Sequence, residues 1–119
     1  MLHMLAVRVG AAYALLAFTS SAINGAPLCR NGELAVAELF TGWWCPICAD
    51  ARLFLYRHGV PFAEYGTEDD SLREQLFRRS GRGTIPAIYI CRKWIFGFGA
   101  EQEAELRELL NVQSAGVSP

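Results

Sequence analysis

Two cysteines are set three residues apart in the sequence Trp43-Trp44-Cys45-Pro46-Ile47-Cys48. Before it, the apolar run 34–40 predicts a buried strand, which we expect to end at the breaker pair Thr41-Gly42. After it, an amphipathic pattern predicts a helix that ends near Gly59. The Cys-x-x-Cys pair therefore lies where a strand ends and a helix begins, which is typical of a redox pair.

This position predicts different roles for the two cysteines. If Cys45 is the helix N-cap, Pro46 suits the first helical position because it has no N–H to leave unpaired. The Cys45 sulfur then faces unpaired amides and the positive end of the helix dipole, which in such motifs lower a thiol pKa from about 8.5 to roughly 3.5–7.5. Cys48 lies almost one turn further on. We expect Cys45 to attack a disulfide and Cys48 to resolve the mixed disulfide.

The alternative is a binding module in which the two cysteines hold a metal ion. A four-coordinate zinc site needs two more ligands, and none stands at the spacing of a zinc finger. His58 is interpreted as part of the helix end, and Cys29 and Cys91 are distant along the chain. The sequence therefore favours a redox pair and no bound metal.

Length and composition predict one globular domain, with 119 residues, 52 % of them hydrophobic and 19 % charged. The formal net charge is −1, and no basic stripe interleaves with aromatic residues. We therefore expect no nucleic-acid partner.

Residues 1–26 have the pattern of a secretory signal peptide. Arg8 precedes an apolar core at 9–18, and small residues up to Ala22 fit a cleavage site, with a second candidate ending at Ala26. Such a core makes about 15 Å of helix against a hydrocarbon layer of about 30 Å, so no stable membrane span is expected. We expect an exported protein, periplasmic or secreted, in a compartment that permits disulfides. The alternatives are an uncleaved anchor and a cytoplasmic protein with a wrongly assigned start.

The rest of the chain predicts alternating strands and helices. We expect a strand at 60–65, a helix opened by the capping box Ser71-Leu72-Arg73-Glu74, a strand ending at residue 90, a turn at Arg92-Lys93, a strand at 94–96 and a helix at 101–110. The first four elements predict a right-handed parallel βαβ start. The domain is predicted to span 27–112, followed by a tail at 113–119.

Three motifs in order carry a resemblance: Cys45-Pro46-Ile47-Cys48, Gly81-Arg82-Gly83-Thr84-Ile85-Pro86 and Ile95-Phe96-Gly97. Over residues 33–110 the chain resembles the glutaredoxin family of the thioredoxin superfamily. The resemblance implies an α/β, thioredoxin-like fold. Its four-stranded mixed sheet is flanked by helices, with strands one and two parallel and strands three and four antiparallel. It also implies a cis peptide bond before Pro86, beside Cys45.

The same resemblance implies how substrate is held. In that family the backbone just before the cis-proline pairs with the substrate backbone, and the later glycine turn helps to hold the γ-glutamyl end of glutathione. The implied substrate- or glutathione-binding residues here are Thr84, Ile85, Pro86 and Gly97. We add Trp44 and Phe98 to the predicted binding residues because they are apolar and close to the thiols. The resemblance implies glutathione as a co-substrate, and we expect no bound cofactor and a monomer.

Departures from the family pattern bear on the substrate. No lysine stands shortly before Cys45, Ile47 replaces a common tyrosine, and Phe98 follows Gly97 where the family has a second glycine. These changes weaken the glutathione site. Trp43, Trp44 and Phe98 favour an apolar surface for protein or peptide disulfides, unless one tryptophan packs under the loop. A dimer with a glutathione-bridged iron–sulfur cluster is a further alternative, although cluster-binding members usually lack the proline of the motif.

The implied topology also brings the other two cysteines, Cys29 and Cys91, close together. If strand three is antiparallel to strand one, Cys91 lies near the start of strand one, and Cys29 is a few residues upstream. We predict a structural disulfide between Cys29 and Cys91 rather than two free thiols. It would stabilise the fold by about 4 kcal/mol.

Arg52 is four residues beyond Cys48, where it either stabilises a Cys48 thiolate or is solvated.

Overall fold

The structure, a computed structural model, describes residues 27–110. Its elements in chain order are β1 (Ala37–Thr41), α1 (Pro46–Arg57), β2 (Phe62–Gly66), α2 (Asp70–Ser80), β3 (Ala87–Ile90), β4 (Lys93–Phe96) and α3 (Ala100–Leu109). The predicted signal segment 1–26 and the tail 113–119 lie outside the described residues. Within 27–110, no helix is both long enough and apolar enough to cross a membrane.

The four strands form one mixed sheet in the order β2-β1-β3-β4. β1 is parallel to β2, and the pairs β1–β3 and β3–β4 are antiparallel. The predicted four-stranded mixed sheet is therefore confirmed. β1 lies in the interior of the sheet, and its residues Leu39 and Phe40 are fully buried.

The two faces of the sheet have separate cores because side chains alternate along each strand. One face packs against α1 and α3, through residues such as Leu39, Ile88 and Ile95 of the strands, with Leu55 and Leu106 of the helices. The other face packs against α2, where Phe40 and Ala87 meet Leu76. The helices thus enclose both sides of the central strand.

β1 begins later than its apolar pattern predicts. β1 starts at Ala37 rather than at residue 34, because Leu34 instead forms an isolated antiparallel bridge with Leu28. The strand also includes Thr41, whose carbonyl accepts a hydrogen bond from the Thr67 amide at 2.7 Å. Thr41 is therefore the last strand residue and not a breaker.

The N-cap of α2 and the β3–β4 turn lie at other residues than the sequence predicts. The capping box opened by Ser71 is wrong: Asp69 is the N-cap of α2, and its carboxylate accepts from the amides of Ser71 at 2.8 Å and Leu72 at 3.3 Å. Aspartate competes well for this position because its oxygen satisfies free amides of the first turn. The β3–β4 turn is formed by Cys91 and Arg92, both with positive φ, so Lys93 already belongs to β4.

The N-terminal loop is attached both to the β3–β4 turn and to the end of α3. Cys29 and Cys91 form a disulfide with a Cα–Cα distance of 5.7 Å, inside the usual range of about 4.4–6.8 Å. The Arg30 amide donates to the Leu109 carbonyl at 2.9 Å, and its Nε donates to the Glu108 carbonyl at 2.9 Å. A cationic side chain at a helix C-terminus is favourable because it meets unpaired carbonyls and the negative end of the dipole.

Candidate active site

Cys45 is the N-cap of α1, at the strand-to-helix junction that the sequence predicts. Its backbone is extended (φ −109°, ψ 98°), and Pro46 is the first helical residue. The Cys45 amide donates to the Gly42 carbonyl at 3.0 Å, which closes the turn between β1 and α1. The Cys45 side chain makes no cap hydrogen bond, and the Cys48 amide donates to the Cys45 carbonyl at 3.2 Å. The positive end of the helix dipole therefore favours a thiolate at Cys45.

Cys48 forms a disulfide with Cys45, and their Cα atoms are 5.4 Å apart. The two sulfurs differ in access: Cys48 is 1 % exposed, whereas Cys45 is half-buried. A substrate disulfide approaching from solvent meets Cys45 first. The buried cysteine is reached from within the protein, by its partner sulfur.

The Ile85–Pro86 peptide bond is cis, as the resemblance implies. Phe40 pairs with Ala87 in the antiparallel β1–β3 ladder. Continuing that register by one and two residues brings Pro86 beside Thr41 and Ile85 beside Gly42. The cis-proline segment therefore lies alongside the turn that carries Cys45.

Gly42 shows how closely these parts approach. A Cβ atom built on Gly42 would lie 2.7 Å from the Trp44 ring and 2.9 Å from Cδ1 of Ile85. Both distances are below van der Waals contact, so this position requires glycine. Trp44 and Ile85, two of the predicted binding residues, therefore meet at Gly42.

Gly97 is attached to the same segment, because its amide donates to the Pro86 carbonyl at 2.7 Å. Its φ of 81° is in the left-handed region that favours glycine. Thr84 is exposed in the loop before the cis bond. Phe98 is half-buried, and its ring packs on Phe54 of α1 with a centroid distance of 5.7 Å. Phe98 thus contributes to the packing of α1.

The residues around Cys45 form an exposed apolar rim, which we define as Trp43, Trp44 and Ile47. Their exposed fractions are 81 %, 47 % and 39 %. The two indole rings meet edge to face with centroids 5.5 Å apart. Neither tryptophan is buried under the loop, although the Trp44 ring rests against Gly42.

Arg52 has a partner that the sequence interpretation missed. Its Nε and Nη2 donate to Oε1 and Oε2 of Glu64 at 2.8 and 2.6 Å. The Thr41 hydroxyl donates to the same Oε2 at 2.9 Å. Arg52 therefore neither contacts a Cys48 thiolate nor remains simply solvated. The available signal was Glu64 itself, which lies two residues after Phe62 and therefore on the same strand face, the one that meets α1.

Charges in this network shift the titration of its members. The pKa of Glu64 is lowered from its ordinary 4.5, mainly because the carboxylate accepts hydrogen bonds from Arg52, with a smaller effect from Thr41. Partial burial opposes this change. The pKa of Arg52 is raised by the same hydrogen-bonded contact. Glu64 is thus held as an anion beside α1.

No metal centre is found in the part of the chain that the structure describes, where no three residues among His, Cys, Asp and Glu come together in a suitable group. His58 lies at the end of α1, with Nδ1 2.9 Å from the Phe54 carbonyl and its ring stacked on Phe54 at 4.0 Å. These contacts fit the interpretation of His58 as part of the helix end.

Known proteins are similar to this chain in sequence and in fold. The family model described as Glutaredoxin matches residues 37–95. A probable glutaredoxin of Synechocystis sp. is 35 % identical over 86 residues, covering 67 % of this chain and 79 % of that protein. Glutaredoxin 3 of Escherichia coli is 37 % identical over 65 residues, covering 54 % and 78 %. The crystal structure of a glutaredoxin from Archaeoglobus fulgidus superposes with a TM-score of 0.52 at 27 % identity, covering 63 % of this chain and 85 % of that one.

These matches agree with the cysteine pair, the cis-proline and the mixed sheet. They do not favour a metal- or cluster-holding module, since the family is one of disulfide chemistry. The chain belongs to the glutaredoxin family of thiol–disulfide oxidoreductases.

Proposed function

We propose that this protein is an exported oxidoreductase that exchanges disulfides of proteins or peptides, with Cys45 as the nucleophile and Cys48 as the resolving thiol. One observation carries the proposal: the accessible cysteine stands at a helix N-terminus inside the exposed rim of Trp43, Trp44 and Ile47, while its partner is buried. Apolar rings beside a reactive sulfur suit a polypeptide substrate, whose own apolar side chains lose contact with water on binding.

The exchange proceeds in two balanced steps. The Cys45 thiolate attacks one sulfur of the substrate disulfide, forming a mixed disulfide and releasing the other substrate sulfur as a thiolate, which takes up a proton. Cys48, losing its proton, then attacks the Cys45 sulfur. This step forms the Cys45–Cys48 disulfide and releases the second substrate thiol. The substrate gains two electrons and the protein loses two; the reverse sequence oxidises a dithiol.

The cis-proline segment supports a mode of substrate binding. Family resemblance assigns backbone pairing with the substrate to the residue before the cis-proline, which is Ile85. Its side chain rests near Gly42, next to Trp44. A peptide paired there would pass the rim with its cysteine at Cys45. Glutathione, the co-substrate of the family, is the small-molecule partner we propose, in the neighbourhood of Gly97.

Export is proposed from residues 1–26, whose Arg8, apolar core and small residues follow the order of a signal peptide. The Cys29–Cys91 disulfide supports it, because structural disulfides persist in oxidising compartments. Fractionation of cells expressing the full chain tests this point. Recovery of a shortened chain outside the cytoplasm is expected, and an uncleaved chain confined to the cytoplasm would contradict it.

The substrate class is tested by comparing insulin with a glutathione mixed disulfide of a small thiol. We expect Cys45→Ser to abolish both reactions. Cys48→Ser should accumulate a mixed disulfide with insulin, because the resolving attack is lost. The double change Trp43→Ala with Trp44→Ala should slow insulin reduction more than turnover of the small substrate. Equal slowing of both would argue against a polypeptide-binding rim.

A further inference from the structure

Glu64 connects three elements that together hold the redox pair. It lies on β2, and its carboxylate accepts hydrogen bonds from Thr41, the last residue of β1, and from Arg52 in the second turn of α1. The parallel register pairs Glu64 with Leu39 and Gly66 with Thr41, so the contact to Thr41 is a diagonal one on the same sheet face. A single side chain therefore links the strand that leads into the active-site turn to the helix that leaves it.

Thr41 is fixed on its other side as well. Its carbonyl accepts from both the amide and the hydroxyl of Thr67, at 2.7 and 2.8 Å. Thr41 and Thr67 are both buried, so these polar groups have no water to replace a lost partner. Since the turn to Cys45 starts directly after Thr41, the origin of that turn is held by three hydrogen bonds.

Arg52 links the Glu64 carboxylate to α1. It lies one turn beyond Cys48, on the same helical face. An unpaired guanidinium there would stabilise a Cys48 anion and oppose its role as the protonated, resolving thiol. The two hydrogen bonds to Glu64 compensate this charge and hold the helix against the edge strand.

We propose that Glu64 is a positioning residue for the redox pair: through Thr41 and Arg52 its carboxylate fixes the β1–α1 junction, so that Cys45 faces the helix N-terminus while Cys48 stays neutral. This inference rests on Cys45 and Cys48 being the redox pair. Glu64 makes no hydrogen bond to Cys45 or Cys48, and acts through the two residues that it binds.

A second ion pair offers a matched control. Arg79 binds Glu38 at 2.6 Å, as short as the contact between Arg52 and Glu64, and the exposures of the carboxylates are 33 % and 31 %. Glu38 belongs to β1, and its side chain joins the opposite face of the sheet to α2, which carries no cysteine. Glu38→Ala removes one hydrogen bond to Arg79, whereas Glu64→Ala removes two to Arg52 and one to Thr41, and only Glu64 contacts α1.

The experiment measures alkylation of Cys45 by iodoacetamide against pH in the reduced full-length protein, for wild type, Glu64→Ala, Glu64→Gln and Glu38→Ala. We expect Glu64→Ala to move the midpoint of the profile upward by at least about half a pH unit, which is about a threefold loss of thiolate below the midpoint. Glu64→Gln retains an acceptor for Thr41 and should move it less. Glu38→Ala should leave it in place.

Urea unfolding of each variant shows that it is folded, and Glu64→Gln remains informative if Glu64→Ala is not. A shift for Glu64→Ala no larger than that for Glu38→Ala would overturn the positioning role. Failure of the proposed function is a separate result, because it appears in the wild-type protein as absence of disulfide exchange.

Discussion

Cys45 and Cys48 are close in sequence, yet each has an environment suited to one step of disulfide exchange. Cys45 ends an extended segment at the open end of a helix, and Cys48 lies inside the first turn with 1 % of its surface exposed. The helix periodicity alone explains why their sulfurs meet. The difference in exposure arises because α1 packs one face on the sheet, which covers Cys48 and leaves the N-cap at the rim.

Gly42 provides a residue-scale prediction. Gly42→Ala would place a methyl group 2.7–2.9 Å from Trp44 and Ile85, so both must shift. We expect a loss of about 1–3 kcal/mol in the free energy of unfolding, the usual cost of overpacking, and slower disulfide exchange. Urea denaturation and insulin reduction measure these two effects.

Gly83→Ala is the matched control for this change. Gly83 lies in the loop between α2 and β3, two residues before Ile85, and a Cβ there meets no atom within 4 Å. Its substitution should leave both stability and exchange close to wild type. If the two alanine variants behave alike, the tight contact at Gly42 has no consequence.

The pH dependence of Glu64 is a second residue-scale prediction. Because its pKa is lowered in the folded state, its stabilisation is present above the ordinary value of 4.5 and is lost as the pH falls through the lowered value. The free energy of unfolding of wild type should exceed that of Glu64→Gln by about 0.2–1 kcal/mol at neutral pH, since the pair is partly solvated. The difference should shrink as the pH falls below 4.5 and through the lowered pKa of Glu64. Urea unfolding at pH 7 and pH 3 checks this, and a difference independent of pH would contradict it.

At the scale of elements, helix ends and strand starts depend on contacts that hydrophobic patterns do not encode. α2 starts one residue after Asp69, although the residues from Ser71 to Glu74 fit a capping box. The structure selects Asp69 because its carboxylate reaches two amides, at 2.8 and 3.3 Å. Likewise, β1 starts at Ala37 because the residues before it belong to the disulfide-bonded loop.

Alanine substitutions at Asp69 and Ser71 are therefore expected to change the free energy of unfolding by different amounts. Asp69→Ala should lower the free energy of unfolding by about 1 kcal/mol, because two amides of the first turn lose their acceptor. Ser71→Ala should change it by less than about 0.5 kcal/mol, as for surface positions without a specific contact. Thermal or urea unfolding distinguishes the two, and a larger loss at Ser71 would restore the capping box as the start of α2.

At the scale of the whole molecule, the Cys29–Cys91 disulfide joins the N-terminal loop to the β3–β4 turn across a sequence separation of 62. Arg30 adds two hydrogen bonds to the end of α3. The loop, the hairpin and the last helix are thereby held together at the end of the sheet opposite the redox pair. This end supplies stability, and the other end carries the chemistry.

The double change Cys29→Ala with Cys91→Ala should lower the free energy of unfolding by about 4 kcal/mol, because the unfolded chain regains the entropy of a long open loop. We expect disulfide exchange per folded molecule to stay close to wild type, since Cys45 and Cys48 are untouched. Urea unfolding and an insulin assay at a temperature where both proteins are folded provide the measurements. A variant that is stable but inactive would show that the two ends of the sheet are coupled.

Local chemistry along the chain was sufficient for the redox pair, the order of strands and helices, and the helix that starts at Pro46, because caps, breakers and periodicity act over a few residues. With the family motifs, it also led to the cis-proline and to the pairing of Cys29 with Cys91. Tertiary packing alone brought Glu64 to Thr41 and Arg52, turned Phe98 toward Phe54, and left both tryptophans exposed. Those outcomes depend on which faces of distant elements meet, and the periodicity of a single element shows which of its own faces is buried but not which residues of another element it contacts.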